Sequence, residues 1–365
     1  MSIRIQRIEA RVVEHPLRKS RIVVSPVGVH DRSRFLAVTV HGKNGQRGYG
    51  EAATTPLWCG ETAETAQWMV ENLFAPQLVG HAFEHPREAL AIMDKTAHGN
   101  PFAKAAVDAA IWDLWAREQG VPATKLFADR PPVASIPTRA SVGCYDVKET
   151  LRIALEFWNE GIRTLKFKIG VPGFDDAARL RAVREKLGDA PVFTVDGNGA
   201  WRTAKEAVAA IKKLLPYRVV LVEQPTHRDR IGQLAEVRRQ LDVPVMADEC
   251  VFTPEHLNEA LDCDAFDVLS VYPGKNGGVT NCIEMVRTAQ RAGKKCAIGS
   301  NLESDLGQGA MAAVAAGLSA FPVDEIPCDF QASLFYGQSA IRKPMALKDG
   351  RITVPTGVGF GVEPR

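Results

Sequence analysis

The chain has 365 residues, of which 45% are hydrophobic and 24% are charged, and its 45 basic and 43 acidic side chains leave a net charge of only +2. This composition is typical of a globular protein, and the even mixture of charges argues against a nucleic-acid-binding surface. No run approaches the roughly 20 apolar residues that span a membrane, and the alternating N-terminus has no signal-peptide run.

The seven cysteines indicate a reducing environment. They include no C-x-x-C pair and their number is odd, so free thiols in packed positions are expected rather than disulfides or a zinc site. We therefore predict a cytoplasmic protein that binds neither nucleic acid nor a membrane.

The first part of the chain predicts an α+β module. Residues 3–13 and 34–40 alternate polar and apolar side chains as strands do, and a short strand follows at 49–53. An apolar period of 3.6 residues predicts helices at 61–73, 86–95 and 103–119. Pro131 and Pro132 then interrupt the pattern, so the first domain is placed at residues 1–130.

A repeating strand-then-helix pattern occupies the next 200 residues. Eight strands are predicted, at 136–143, 164–169, 192–196, 219–223, 243–248, 268–272, 295–299 and 324–328. Their spacing predicts a (β/α) TIM-type barrel over residues 131–330. A flat doubly wound sheet is the alternative, but it would need a glycine-rich turn after its first strand, where Gly143 stands alone. The remaining segment, 331–365, is expected to return to the first module.

Charged side chains follow the barrel strands at the points where the strands end. Asp196, Glu223 and Asp248 end the third, fourth and fifth strands, about one strand–helix unit apart. In a barrel these ends meet at one mouth, and clustered carboxylates repel one another unless a cation holds them. Oxygen ligands with open positions suit Mg²⁺, with Mn²⁺ as the expected substitute.

Two lysines on the second strand predict acid–base chemistry beside this metal. Lys166 and Lys168 are two residues apart, so both face the lumen, and Lys275 arrives from the opposite side of the barrel. Removing a proton next to a carboxylate creates a second negative charge, which a divalent cation stabilises. Lysines on both faces of a substrate allow a proton to leave one side and arrive at the other.

Five runs in order resemble the enolase superfamily in its muconate-lactonizing-enzyme subgroup. They are Lys166-Phe-Lys168, Asp196-Gly-Asn198-Gly-Ala-Trp201, Glu223-Gln-Pro225, Ala247-Asp248-Glu249 and Lys275-Asn-Gly-Gly278. The N-terminal module is similar to that family's capping domain, so the resemblance covers nearly the whole chain. The mandelate-racemase-like subgroup would have a histidine at the end of the seventh strand, and residues 295–301 contain none.

The resemblance implies a role for each residue of the cluster. Asp196, Glu223 and Asp248 would bind Mg²⁺. Lys168 and Lys275 would be acid–base residues on opposite faces, and Lys166 would stabilise the substrate carboxylate and help to keep Lys168 neutral. Two further residues, Asn198 and Glu303, would orient the substrate or the groups around it.

Loops of the capping domain are expected to choose the substrate. Thr55 lies in a loop that is similar to the muconate cycloisomerase loop, and Trp58 either contacts substrate or packs that loop. Arg32 or Arg34 is expected near a distal carboxylate. At the eighth strand, Asp329 and Phe330 are expected to bind the substrate or to support the residues that do. Dipeptide epimerases of the family carry Asp-x-Asp there, and here Gln331 replaces the second acid.

The sequence thus predicts a homo-oligomeric isomerase, a dimer or an octamer, that forms an enolate α to the carboxylate of a small molecule. Cyclisation of a cis,cis-muconate-type dicarboxylate is favoured. The alternatives are a dipeptide or N-acyl amino acid epimerase, an o-succinylbenzoate synthase and an acid-sugar dehydratase. A barrel that binds metal and an acid without turning it over is a further alternative, although binding alone needs no lysines on two faces.

Overall fold

The computed structural model describes residues 2–365, and its first third is a four-stranded antiparallel sheet covered by helices. The strands are β1 (Ile3–Pro16), β2 (Val23–Ser25), β3 (Gly28–His30), β4 (Arg32–Gly42), β5 (Arg47–Thr54) and β6 (Ala82–Phe83). The helices are α1 (Pro56–Cys59), α2 (Ala63–Met69), α3 (Ala75–Leu78), α4 (Pro86–Thr96) and α5 (Pro101–Glu118). The sheet order is β5-β4-β1-β6, while β2 and β3 form a separate hairpin.

The second part contains one short separate strand and a curled parallel sheet of seven strands. Its elements are β7 (Ser135–Pro137), β8 (Arg139–Val142), α6 (Val147–Asn159), β9 (Thr164–Lys168), α7 (Asp176–Leu187), β10 (Val192–Asp196), α8 (Ala204–Lys212), β11 (Val219–Glu223), α9 (Ile231–Gln240), β12 (Val245–Ala247), α10 (Pro254–Asp262), β13 (Val268–Val271), α11 (Val279–Arg291), β14 (Lys295–Ile298) and α12 (Asp305–Gly317). Strands β8 to β14 lie side by side in chain order. This is the layout of a strand–helix barrel whose strand ends share one face.

The predicted eighth strand, 324–328, is wrong as a strand. Pro322 and Pro327 flank a turn and have no backbone N–H with which to extend a ladder. Only Cys328 makes a parallel bridge, to Thr138, and the N–H of Asp329 donates to the carbonyl of Ile298 at 2.9 Å. The segment therefore closes the barrel between β8 and β14 through a few backbone hydrogen bonds rather than a continuous ladder.

The C-terminal segment contacts both modules. It contains α13 (Ala332–Phe335), β15 (Leu347–Lys348) and β16 (Arg351–Thr353). Strand β16 pairs antiparallel with β7, which the prediction had merged with β8 into one strand. The last residues return to α5, where the N–H of Phe360 donates to Asp113 at 2.7 Å.

Helix α5 joins the two modules. Fourteen of its 18 residues are buried, because β4 and β5 cover one side and α11 covers another. Gly48 and Gly50 permit this approach, since a Cβ at either position would lie 2.1 Å from a carbonyl oxygen of α5. The close packing fixes the capping loops over the barrel mouth. No helix among residues 2–365 has both the length and the apolar character needed to cross a membrane.

Candidate active site

A cavity lies where the capping domain meets the C-terminal ends of the barrel strands. Its empty volume is about 750 Å³, including the open mouth. The strand ends contribute its charged floor, namely Lys166, Lys168, Asp196, Glu223 and Asp248. The β2–β3 hairpin and the α1 segment contribute a wall that is mostly apolar, with Val23, Val27, Val29, His30, Leu57 and Trp58. The arrangement presents charge at one end of a bound molecule and apolar surface at the other.

Three carboxylates lie at the ends of three adjacent strands. Asp196 ends β10 and stands opposite Glu223, which ends β11. Asp248 follows β12 directly. All three are buried and line the cavity.

A strained turn after Glu223 helps to place Asp248. Gln224 has a φ of +32°, which is rare for a residue other than glycine. Its side-chain oxygen accepts the N–H of Asp248 at 2.9 Å, and its side-chain nitrogen donates to the carbonyl of Thr226 at 2.8 Å. The strain is therefore maintained by hydrogen bonds that fix the backbone between the second and third carboxylates.

Each lysine of the cluster contacts a carboxylate. Lys168 Nζ lies 2.6 Å from Asp196 Oδ2. Lys275 Nζ donates to Asp248 Oδ1 at 2.7 Å and to two backbone carbonyls, and it is fully buried behind that carboxylate rather than lining the cavity. Strands β10, β11 and β12 separate Lys168 from the segment that carries Lys275, so the two ammonium groups approach the carboxylates from different sides.

Lys166 belongs to a deeper buried network that the sequence reading missed in part. Its Nζ lies 2.6 Å from Asp329 Oδ2 and 3.4 Å from Glu223 Oε1. Arg139, which had no predicted role, contacts the same two acids, at 2.6 Å to Asp329 and 2.9 Å to Glu223. The sequence could have revealed Arg139, because Arg139 and Ser141 are two residues apart on β8 and their polar side chains therefore both point to the barrel interior.

The network sets the charges of its members. Burial would raise the pKa of Asp196 and of Asp329, but nearby cations outweigh it and hold both pKa values below the usual range. Burial raises the pKa of Glu223 to about 7 despite Arg139 and Lys166. For Lys166, burial opposes charge, yet the Asp329 and Glu223 carboxylates raise its pKa above normal. Lys166 is therefore a fixed positive charge rather than a base.

Trp58 links the capping domain to the barrel. Its indole N–H donates to Glu249 Oε1 at 3.1 Å, and Asn198 donates to the same oxygen at 2.7 Å. Burial, together with the neighbouring Asp248 and Asp196, raises the pKa of Glu249 to about 8. Trp58 thus lines the cavity and also packs its own loop against the barrel. The centre of its ring lies 5.2 Å from the centre of the Phe252 ring.

The loop after β14 connects Thr55 and Glu303 to the site. Thr55 lines the cavity, and its hydroxyl donates to the side-chain oxygen of Asn301 at 3.2 Å. Glu303 accepts hydrogen bonds from the Ser300 hydroxyl and the Asn301 N–H and does not line the cavity. Burial raises its pKa to about 7. Glu303 therefore orients the loop that carries Asn301.

Three expected substrate contacts lie elsewhere. Arg32 is exposed and pairs with Asp31 and Glu14, outside the cavity. Phe330 is packed in the hydrophobic core. Asp329 is enclosed by Arg139 and Lys166 within the barrel, and Gln331 lines the cavity instead. Alternation along the closing segment places Phe330 on the side opposite to Asp329 and Gln331, and the ion pairs with Arg139 and Lys166 hold Asp329 away from the cavity.

The donor set fits a divalent cation. It offers three carboxylates, and the buried oxygens Asn198 Oδ1 and Glu249 Oε2 have no hydrogen-bond partner in the described residues. Each of the three carboxylates contacts an ammonium or guanidinium group. Within residues 2–365 no three His, Cys, Asp or Glu side chains converge as a closed ligand set. Hard carboxylate oxygens at a solvent-connected cavity are the ligands that Mg²⁺ prefers.

Comparison with known proteins identifies the family. Residues 7–128 match the mandelate racemase/muconate lactonizing enzyme N-terminal domain, and residues 149–365 match the enolase C-terminal domain-like family. The chain belongs to the muconate-lactonizing-enzyme subgroup of the enolase superfamily. The predicted TIM-type barrel with a capping domain is thereby confirmed, and the protein is an isomerase of this superfamily.

Relatives with different activities are similar to it at nearly equal levels. Muconate cycloisomerase 1 of Rhodococcus opacus is 30% identical over 98% of this chain and 95% of its own. L-Ala-D/L-Glu epimerase of Bacillus subtilis is 29% identical (99% and 97% covered), and N-succinylamino acid racemase of Thermus thermophilus is 32% identical (99% and 95%).

Solved structures give the same fold and a metal. The 2-chloromuconate cycloisomerase of Rhodococcus opacus superimposes with a TM-score of 0.92 at 27% identity, covering 99% of this chain and 97% of its own. A dipeptide epimerase of Enterococcus faecalis, complexed with Mg and the dipeptide L-Leu-L-Tyr, gives 0.90 at 26% identity with 98% and 99% covered. Magnesium is thus present in a relative that shares the whole architecture.

Proposed function

We propose that the protein is a Mg²⁺-dependent isomerase that removes and returns the proton α to a substrate carboxylate. The observation that supports this most is the charged floor of the cavity, where three carboxylates on adjacent strands stand beside Lys166 and Lys168. Asp196, Glu223 and Asp248 would hold the metal, with Mn²⁺ as a substitute. When bound, the divalent cation neutralises the charge that develops on the substrate carboxylate.

The protein's own groups carry the proton. In its deprotonated form, Lys168 would accept the α-proton; the C–H bond breaks, and its electron pair moves into the carboxylate to form an enolate. Lys166 places a permanent positive charge near that carboxylate. Lys275 lies behind Asp248, so its ammonium would have to reach past that carboxylate to return a proton to the opposite face. Return on the opposite face inverts the configuration at the α-carbon.

The cap favours a substrate whose far end is uncharged. The β2–β3 hairpin contributes Val23, Val27 and Val29 to the cavity wall. Arg32 and Arg34 lie outside it, so neither is placed to bind a distal carboxylate. Gln331 stands where a second acid would hold a substrate ammonium. An N-acyl amino acid, with a neutral amide and an apolar portion, matches this wall, and its racemisation is the specific reaction we propose.

Lactonisation of a cis,cis-muconate-type dicarboxylate is the second candidate. It is favoured by Thr55, which lines the cavity in the loop that is similar to that of muconate cycloisomerase. The charged floor serves either reaction, because both pass through an enolate. The distal carboxylate of muconate would have to be held by neutral donors such as Thr55 and Ser25.

Proton exchange with solvent tests the proposal directly. Purified protein with Mg²⁺ in D₂O should remove the α-hydrogen NMR signal of N-acyl amino acids, and a chelator should abolish the exchange. Lys168→Ala should lower the rate by orders of magnitude, whereas Lys186→Ala, on the exposed face of α7, should not. Undiminished exchange in excess chelator, or in Lys168→Ala, would contradict the mechanism.

Muconate is assayed in parallel through the ultraviolet absorbance of its diene. Loss of that absorbance without racemisation of any N-acyl amino acid would support the second candidate and reject the first.

Assembly as a homo-oligomer remains a prediction, which light scattering of the purified protein checks.

A further inference from the structure

A chain of hydrogen bonds runs from the cavity wall into the protein interior. It begins at His30, the last residue of β3, whose Nε2 lies 2.7 Å from Ser33 Oγ. Ser33 Oγ is in turn bonded to the hydroxyl of Tyr336. The same Tyr336 hydroxyl is bonded to the backbone carbonyl of Leu302, in the loop after β14. The chain therefore joins the capping hairpin to the barrel.

The carbonyl at its inner end fixes the direction of every bond. A carbonyl oxygen only accepts, so the single proton of the Tyr336 hydroxyl is donated to Leu302. Tyr336 must then accept from Ser33, and Ser33, having donated its own proton, must accept from His30. Burial raises the pKa of Tyr336 well above normal, so its proton stays in place. Nε2 of His30 is thus the protonated nitrogen of the ring.

The other ring nitrogen is consequently an acceptor. Burial lowers the pKa of His30 to about 4, and the charge of Lys168 acts in the same direction against the opposing effect of Asp31. The ring is neutral at pH 7, so Nδ1 carries a lone pair. Among residues 2–365 Nδ1 has no hydrogen-bond partner, and His30 lines the cavity.

We propose that His30 determines specificity by accepting a hydrogen bond from the amide N–H of an N-acyl amino acid substrate. The inference rests on the proposed function, and it adds the residue that recognises the amide. A lone pair presented from a wall formed by Val23, Val27 and Val29 selects a donor and disfavours a second acceptor. His30 is a binding residue and transfers no proton in the reaction.

Two substrates that differ in one atom test this inference. The first is an N-acyl amino acid, and the second is the matching 2-acyloxy acid, in which an ester oxygen replaces the N–H. Wild-type protein should favour the amide, and His30→Phe, which keeps a flat ring but removes the acceptor, should lower kcat/KM for the amide by about 10-fold or more. In the same variant, kcat/KM for the ester should fall little or should rise, because the repulsion between the lone pair of Nδ1 and the ester oxygen disappears.

Two further variants separate recognition from damage to the fold. His30→Asn offers an acceptor oxygen near the position of Nδ1 and should retain most of the amide preference. Ser33→Ala removes the acceptor that holds the proton on Nε2, so the ring can protonate Nδ1 instead, and the preference should fall toward that of His30→Phe. An unchanged amide-to-ester ratio in His30→Phe or in Ser33→Ala would overturn the inference.

Failure of the His30 assignment can be told apart from failure of the proposed function. If wild-type protein exchanges the α-hydrogen of neither substrate, the proposed function fails. If it exchanges the amide's α-hydrogen and His30→Phe slows both substrates equally, the enolate chemistry stands and the assignment of His30 is wrong.

Discussion

Replacing Glu51 with Gln should stabilise the protein at neutral and alkaline pH. Glu51 lies on β5, is buried, and accepts the backbone N–H of Ser304 at 2.9 Å at the start of α12. Its second oxygen is bonded to the Ser304 hydroxyl. Among residues 2–365 no cation contacts this carboxyl, and burial raises its pKa from 4.5 to about 8. Gln is neutral and can make both contacts through its oxygen and its amide nitrogen.

The size and sign of the effect follow from the pKa. Because the folded protein holds this proton while the unfolded chain releases it above pH 4.5, unfolding releases a proton, and the wild-type free energy of unfolding falls as pH rises toward 8. A shift of this size corresponds to a ceiling of about 5 kcal/mol. Relaxation and water penetration reduce such penalties, so we expect Glu51→Gln to gain ~2 kcal/mol at pH 8 and almost nothing at pH 4.5.

Urea unfolding at several pH values between 4.5 and 8 measures this difference. A chelator must be present, since metal binding would add its own pH-dependent stabilisation. Other buried acids titrate as well, but they cancel when variant and wild type are compared at the same pH. Glu185→Gln, at an exposed position on α7, is the matched control and should show no pH-dependent gain. A gain for Glu51→Gln that does not grow with pH would refute the reasoning.

Three further outcomes are expected from the active site. Lys275→Ala should abolish racemisation yet leave α-hydrogen exchange in the enantiomer that faces Lys168, as NMR in D₂O will show; equal loss of exchange in both enantiomers would reject the two-face mechanism. Asp248→Asn should lose Mg²⁺ binding in calorimetry while its circular dichroism stays native, and retained affinity would remove it from the ligand set. Arg139→Met leaves two buried acids short of a cation and should cost about 3–5 kcal/mol in urea unfolding, whereas Arg181→Met on exposed α7 should stay within about 0.5 kcal/mol; similar values for the two variants would show that the buried network contributes little.

The barrel and its charged floor could be predicted because they depend on local periodicity. Side chains two residues apart on a strand share a face, so Lys166 and Lys168 had to point the same way. Residues that end successive strands one unit apart had to meet at one mouth, which brings Asp196, Glu223 and Asp248 together. The eighth strand failed on local chemistry that was visible in the sequence, since Pro322 and Pro327 remove the donors that a ladder needs.

The sequence by itself determined the fold class, the strand order and the chemistry of the cavity floor, because these follow from side-chain period and spacing along the chain. Only the tertiary structure decided which capping residues face the cavity and which cations partner the acids. Arg32 points to solvent while His30, two residues earlier, lines the cavity, and Arg139 meets Asp329 across 190 residues of sequence. Such contacts depend on how the hairpin and the closing segment pack against the barrel, and no local pattern encodes that packing.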